Sequence, residues 1–170
     1  MSKIQMPSLS YQPTPQLAAG FTLIELLIAL TILGILMTMA IPVYFDHQTK
    51  AQLAESVTLG GAHRVNIEDY ILNNNVFPPN EEANALVPWT EELDGELINR
   101  YPTVNTVELL PESARPTAGQ VRITLAEENA VASSIRGAQV IFRRTESGSW
   151  YCYSDVETSI MPKGCRALED

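Results

Sequence analysis

From Phe21 to Phe45 the chain reads FTLIELLIALTILGILMTMAIPVYF, and no residue between Leu26 and Phe45 carries a charge. A helix over this run reaches ~30 Å at ~1.5 Å per residue, enough to cross the hydrocarbon core of a bilayer. Glu25 is the one charge inside the apolar stretch. A carboxylate there is costly unless it lies near the interface or is paired. Two residues weaken the helix from within. Gly34 costs ~1 kcal/mol against alanine, and Pro42 removes a backbone hydrogen bond and predicts a bend.

Residues 46–73 continue the same helix. Ala54, Val57, Gly61, Val65 and Leu72 recur at helical spacing and predict one apolar stripe, with Gln52, Glu55 and Asn66 off it. Gly60-Gly61 in mid-helix fits either the close approach of a packed sheet or a local bend. Asn73-Asn74-Asn75 predicts the end, because asparagine favours caps and turns. Residues 76–120 hold Pro78, Pro79, Pro88, Pro102, Pro111 and Pro116 and read as irregular connecting structure, with a short helix over 90–99.

From Val121 the period changes to two: Val121, Ile123 and Leu125 alternate with Arg122 and Thr124. Glu127-Glu128-Asn129 reads as a turn. Gln139–Thr145 and Ser149–Ser154 read as strands joined by Glu146-Ser147-Gly148, and Ala130–Ile135 reads as a further short strand. The expected class is therefore α+β. One long N-terminal helix packs its 54–72 stripe against a three- to four-stranded antiparallel sheet.

Charge narrows the function. Acidic residues number 20 and basic residues 11, and a net acidic surface argues against general nucleic-acid binding. Arg136, Arg143 and Arg144 are the candidates for a local basic patch, and they read as solvated strand positions. The acidic pairs Glu81-Glu82 and Glu91-Glu92 lack the D-x-D-x-D-G loop of a calcium site and read as solvated surface. His47 and His63 both fall on the helix with no nucleophile at motif spacing, and His63 reads as a surface residue. There is no Gly-rich phosphate loop and no metal-ligand spacing, so neither an enzyme nor a cofactor is expected.

The start of the apolar run carries the sharpest signal. Residues 1–20 (MSKIQMPSLSYQPTPQLAAG) are polar, with Lys3 as their one charge, and Gly20 meets Phe21 abruptly. In a Sec signal the small residues and the cleavage site follow the apolar region. Here the small residue precedes it, so a cut at Gly20 leaves the apolar helix on the mature chain. Gly20-Phe21-Thr22-Leu23-Ile24-Glu25 followed by an apolar run resembles the class III signal of type IV prepilins. Gly34 and Pro42 sit where pilins carry helix-weakening residues. IPVYFDHQTKAQLAE resembles the passage into the pilin globular domain, and WYCYSDVETSIMPKGC resembles its disulfide-closed C-terminal region. The leader is longer and less basic than many in the family.

The resemblance implies a pilin fold and a major, filament-forming pilin. Residues 1–20 would be a leader removed by a prepilin peptidase, which leaves 10 basic against 20 acidic side chains, a sum of −10. Residues 21–45 would form the transmembrane and filament-core half of the helix, and residues 46–170 the globular domain. Within that domain come the helix continuation 46–73, the connecting loop 74–120, and the sheet and disulfide loop 121–170. Phe21 would receive an N-methyl group, and Glu25 would meet the Phe21 amine of a neighbouring subunit. The bland alternative leaves Glu25 at the cytoplasmic interface.

Cys152 and Cys165 would form a disulfide, natural in an exported domain and worth ~3 kcal/mol for a loop of ~15 residues. Two free thiols are the alternative, and no close Cys/His spacing favours zinc. The implied partners are other copies of the chain, the peptidase, an inner-membrane assembly platform with its motor, minor pilins, and the bilayer before assembly. The implied locations are the bacterial inner membrane and the extracellular pilus. Adhesion, twitching motility and DNA uptake are the functions of such filaments. A minor or DNA-receptor pilin and a type II secretion pseudopilin are the competing readings.

Overall fold

The computed structural model describes residues 20–94, 96–128 and 130–168. The leader, apart from Gly20, lies outside the described residues, as does Asn129 of the turn expected after Leu125. The described residues divide into two units, the first ending at Met39 and the second beginning at Ala40. Helix α1 (Leu23–Asn74) contributes residues to both.

In the first unit every described side chain is exposed. In the second, α1 presents a stripe of Leu53, Ser56, Leu59, Gly60, His63, Ile67 and Ile71 to the core. The stripe expected from Ala54, Val57, Gly61, Val65 and Leu72 is therefore displaced around the helix. Val65 is 70% and Leu72 79% exposed. The expectation counted apolar residues only, whereas the buried face contains a serine, a glycine and a histidine. Asn75 closes the helix in the left-handed region at φ 56, its N–H donating to the Ile71 carbonyl at 2.8 Å.

The connecting segment is more ordered than its prolines suggest. A short 3₁₀ turn (Asn80–Glu82) leads into the one-turn helix α2 (Ala83–Leu86). The helix expected over 90–99 is instead a hairpin of β1 (Thr90–Leu93) and β2 (Glu96–Asn99), with Leu93 paired to Glu96. Asn84 Oδ1 accepts from the Trp89 and Thr90 N–H groups at 3.1 Å and anchors its start. Strand β3 (Val104–Pro111) also lies within the stretch expected to be irregular. Its Val104, Val107 and Leu109 are buried, and Pro111 is tolerated because it falls at the strand's last position on the sheet edge.

The main sheet has five strands in the order β3-β4-β5-β6-β7, with β4 Gly119–Leu125, β5 Gln139–Arg144, β6 Trp150–Ser154 and β7 Cys165–Ala167. The α+β class holds. The sheet exceeds the three to four antiparallel strands expected, because β7 joins β6 in parallel through Cys152↔Cys165. Residues 130–135 form no strand; Ser133–Ile135 is a 3₁₀ turn. The side amide of Gln52 holds that segment, donating to Ala130 O at 3.2 Å and accepting from Ala132 N at 2.9 Å.

Register aligns one apolar face. Val107 pairs with Ile123 and Leu109 with Val121, while Val121 pairs with Phe142 and Ile123 with Val140. That face packs on Leu53, Leu59, Ile67 and Ile71. Gly60 settles the mid-helix question in favour of close approach: a Cβ there would collide with the Phe142 ring, while one on Gly61 would meet open space.

Candidate functional site

The chemistry of Gly20–Phe45 follows from what lacks a partner. Phe21 is 81% exposed, and the window that makes α1 long and apolar enough to cross a membrane is not buried anywhere. The threonines within the apolar run satisfy themselves. Thr31 and Thr38 donate their hydroxyls to Ile28 O at 2.8 Å and Ile35 O at 2.7 Å, bonds that return to the helix backbone. A surface of this kind is at home in hydrocarbon or against other helices of its kind, and unsuited to water.

Glu25 and Thr22 form a reciprocal cap. Glu25 Oε2 accepts from the Thr22 N–H at 3.1 Å and the Thr22 hydroxyl at 2.8 Å, and the Glu25 N–H donates to Thr22 Oγ1 at 3.3 Å. This capping box satisfies donors at the helix start and places a carboxylate where the helix dipole favours one. Its T-x-x-E spacing was readable in the sequence. Gly20 and Phe21 lie exposed immediately before it. An added Cβ on Gly34 would meet nothing within 4 Å, and Pro42 lies inside α1.

At the other end Cys152 and Cys165 form a disulfide with Cα atoms 4.4 Å apart, enclosing a loop of sequence separation 13. Val156 is buried inside this loop, and Ile160 and Met161 pack against the core. The bond therefore holds a folded loop against the sheet edge.

Two buried polar groups depart from expectation. Arg144 was expected on the solvated face. It shares its side of β5 with Val140 and Phe142 and is 7% exposed. Its Nε and Nη2 donate to Glu68 Oε1 and Oε2 at 2.8 and 2.9 Å, and Nη1 donates to Thr117 O at 2.8 Å. Trp150 Nε1 donates to Glu68 Oε1 at 2.6 Å. The guanidinium holds the Glu68 carboxyl below its ordinary value. Strand parity carried this signal, since residues 140, 142 and 144 face one way.

His63, expected on the surface, is fully buried. Nδ1 lies 3.0 Å from Leu59 O and Nε2 3.2 Å from Ala83 O. Burial pushes the imidazole below its ordinary value, and the two carbonyls pull weakly upward. Of the other arginines, Arg136 lies beyond the 3₁₀ turn outside any strand. Arg143 stacks over the Tyr153 ring at 5.6 Å. Among the described residues no group of three His, Cys, Asp or Glu could hold a metal ion.

An apolar helix with a capped acidic start, joined to a helix-backed sheet with a disulfide-closed edge, is the architecture of a filament subunit. A family model described as Pilin (bacterial filament) matches residues 49–166, and one described as the prokaryotic N-terminal methylation motif matches residues 16–41. The type IV major fimbrial protein FimA of Dichelobacter nodosus is 31% identical, covering 88% of this chain and 97% of its own length. Fimbrial protein EcpC of Eikenella corrodens is 29% identical over 89% of this chain and 92% of its own length. A probable minor fimbrial protein of Dichelobacter nodosus is 29% identical over 86% and 94%. The chain belongs to the pilin family: it is a type IV pilin, a structural subunit rather than an enzyme. Pilins polymerise with their own kind, and the methylation motif marks a membrane-anchored precursor that is processed before assembly.

Proposed function

We propose that this chain is the major subunit of a type IV pilus, cut between Gly20 and Phe21 and N-methylated on Phe21. The observation that supports it best is the unburied apolar surface of residues 21–45, whose only charge is Glu25 at its start. Before assembly the inner-membrane bilayer covers that surface. In the extracellular filament other copies cover it, and residues 46–170 face outward.

The cut exposes the Phe21 amine one residue before the Thr22–Glu25 box. An ammonium from a neighbouring copy would approach a carboxylate already aimed at the helix start, in surroundings that screen little. The pair would neutralise both charges and set the axial register of the bundle. The weak backbone between Gly34 and Pro42 would let the helix stretch or melt as the subunit leaves the bilayer. A prepilin peptidase makes the cut, and an inner-membrane platform with its motor drives assembly. Minor pilins join the same filament, whose uses are adhesion, twitching motility or DNA uptake.

Intact mass spectrometry of fibres sheared from the cells tests this. The expected species begins at Phe21, heavier than the reduced sequence by one CH2 (a methyl in place of a hydrogen) and lighter by the two hydrogens lost to the disulfide, and is abundant. A chain still carrying residues 1–20, from cells with active peptidase, would overturn the proposal. The same processed mass confined to membranes would favour a minor pilin, the description that one of the similar proteins carries.

A further inference from the structure

Beyond residue 20 the chain has two lysines, Lys50 and Lys163, and both line one groove. The groove lies between α1 and the disulfide loop, has a volume of about 570 Å³, and has Ala54, Val57, Ile160 and Met161 among its walls. That volume falls within the ~300–1,000 Å³ of small-molecule sites. No residue lining it is acidic, and none of the ion pairs among the described residues uses either lysine. Two ammonium groups therefore stand beside an apolar wall, on a chain whose side chains are otherwise mostly acidic in charge.

The place of the groove on the helix narrows its ligand. The uncharged run ends at Phe45, and Ile41, Val43, Tyr44 and Phe45 are exposed. Lys50 follows Phe45 by five residues, ~7.5 Å of helix at ~1.5 Å per residue. The headgroup layer outside a ~30 Å hydrocarbon core is ~5–8 Å deep. With residues 21–45 in a bilayer, the Lys50 end of the groove opens at the level of the lipid phosphates. The one charge between Phe45 and Lys50, Asp46, lines a separate groove with Phe45 and Arg136. A free anion would satisfy the lysines and leave the apolar wall in water. A zwitterionic lipid brings its own cation to the phosphate and needs the lysines less. An anionic phospholipid matches both halves of the groove.

We infer that this groove binds an anionic phospholipid from the bilayer that covers residues 21–45. Lys50 and Lys163 hold the phosphate as point charges, and the glycerol backbone and first methylenes rest on Ala54, Val57, Ile160 and Met161. Carbons lifted out of the hydrocarbon core there meet side chains rather than water. The inference rests on the membrane-anchored reading of the apolar run. It gives the disulfide loop a lipid contact that the subunit must release on leaving the bilayer.

Photocrosslinking of the full chain in phosphatidylethanolamine nanodiscs tests it. The probe is phosphatidylglycerol with a diazirine on the first carbons of one acyl chain, and adducts on residues 21–45 are the internal standard. Adducts are expected on residues 54–57 and 159–163 as well as on the run. Excess plain phosphatidylglycerol should remove the groove adducts, and glycerol phosphate should not. Adducts on the run alone would overturn the inference and keep the membrane reading, whereas adducts on neither would remove both. Equal groove labelling by a phosphatidylcholine probe, or competition by glycerol phosphate, would also overturn it.

A second arm separates a site from diffuse attraction. Lys50→Gln/Lys163→Gln should lower the groove adducts relative to the run by about tenfold or more, a ratio of ~1.4 kcal/mol, because two lysines at an anionic surface together contribute more than that. The charge-keeping Lys50→Arg/Lys163→Arg chain should retain them, and so should Arg136→Gln. An equal loss from Arg136→Gln, or an equal loss from the arginine pair, would refute the lysine clamp.

Discussion

Removing Glu68 should destabilise the globular unit far more than removing its partner. The two side chains are unequally buried, at 8% exposure for Arg144 and 39% for Glu68. In Glu68→Ala the guanidinium stays inside and loses two charged hydrogen bonds, keeping those to Thr117 O at 2.8 Å and Thr145 O at 3.2 Å. Trp150 Nε1 loses its acceptor as well. A stranded buried charge costs ~3–5 kcal/mol, and the surviving carbonyl bonds place this case near ~3 kcal/mol. At ~3 °C per kcal/mol for a domain of this size, the melt should fall by about 10 °C. Arg144→Met strands only a carboxylate that water reaches, so its cost should be near ~1 kcal/mol. Thermal melts in detergent micelles, followed by near-ultraviolet circular dichroism of the tryptophans, measure all three chains. The double Arg144→Met/Glu68→Leu should recover to within ~1 kcal/mol of the native chain. Equal losses in the two single variants would refute the claim that the arginine is the stranded member.

Four further outcomes follow from the same geometry. The native chain should lose stability as pH falls below about 6.5, because unfolded His63 binds a proton there and folded His63, its affinity lowered by burial, does not. The maximal slope is ~1.4 kcal/mol per pH unit; denaturant melts from pH 8 to 5 that show no excess slope over His63→Gln would remove that account. Gly60→Ala should cost ~1–3 kcal/mol by forcing Phe142 aside, while Gly61→Ala should gain up to ~1 kcal/mol. Similar melts for the two would show that the sheet does not press on residue 60. Cys152→Ser should lower stability by ~3 kcal/mol, with an unchanged melt showing the disulfide to be energetically minor. Glu25→Ala should leave cleavage largely intact and impair assembly; normal fibres from that chain would eliminate the charge pair with Phe21.

Legibility in the sequence followed physical simplicity. The apolar helix was plain because residues 21–45 have one environment on every side, so composition alone describes them. The strands from Val121 to Ser154 were plain because one face is buried and one solvated. Strand β3 and the β1–β2 hairpin were hidden by prolines that fall at strand edges and in connections, where no ladder hydrogen bond is lost. His63 and Arg144 were hidden because residue type was taken as a guide to exposure. The phase of their neighbours, Leu59 and Ile67 on the helix, Val140 and Phe142 on the strand, pointed inward all along.

The helix stripe was misplaced for a related reason, and it shows how one helix serves two surroundings. On its sheet-facing side α1 gives up side chain at Gly60 so that Phe142 can approach, and accepts Ser56 and His63 because backbone carbonyls satisfy them. The valine and leucine that an apolar count assigns to the core, Val65 and Leu72, are left outside. Beyond Phe45 the large apolar side chains that α1 leaves exposed are these two alone, whereas before it the run is apolar and exposed throughout. The unburied run of residues 21–45 is therefore what fits this helix to a filament, and the stripe from Leu53 to Ile71 is what fits it to the sheet.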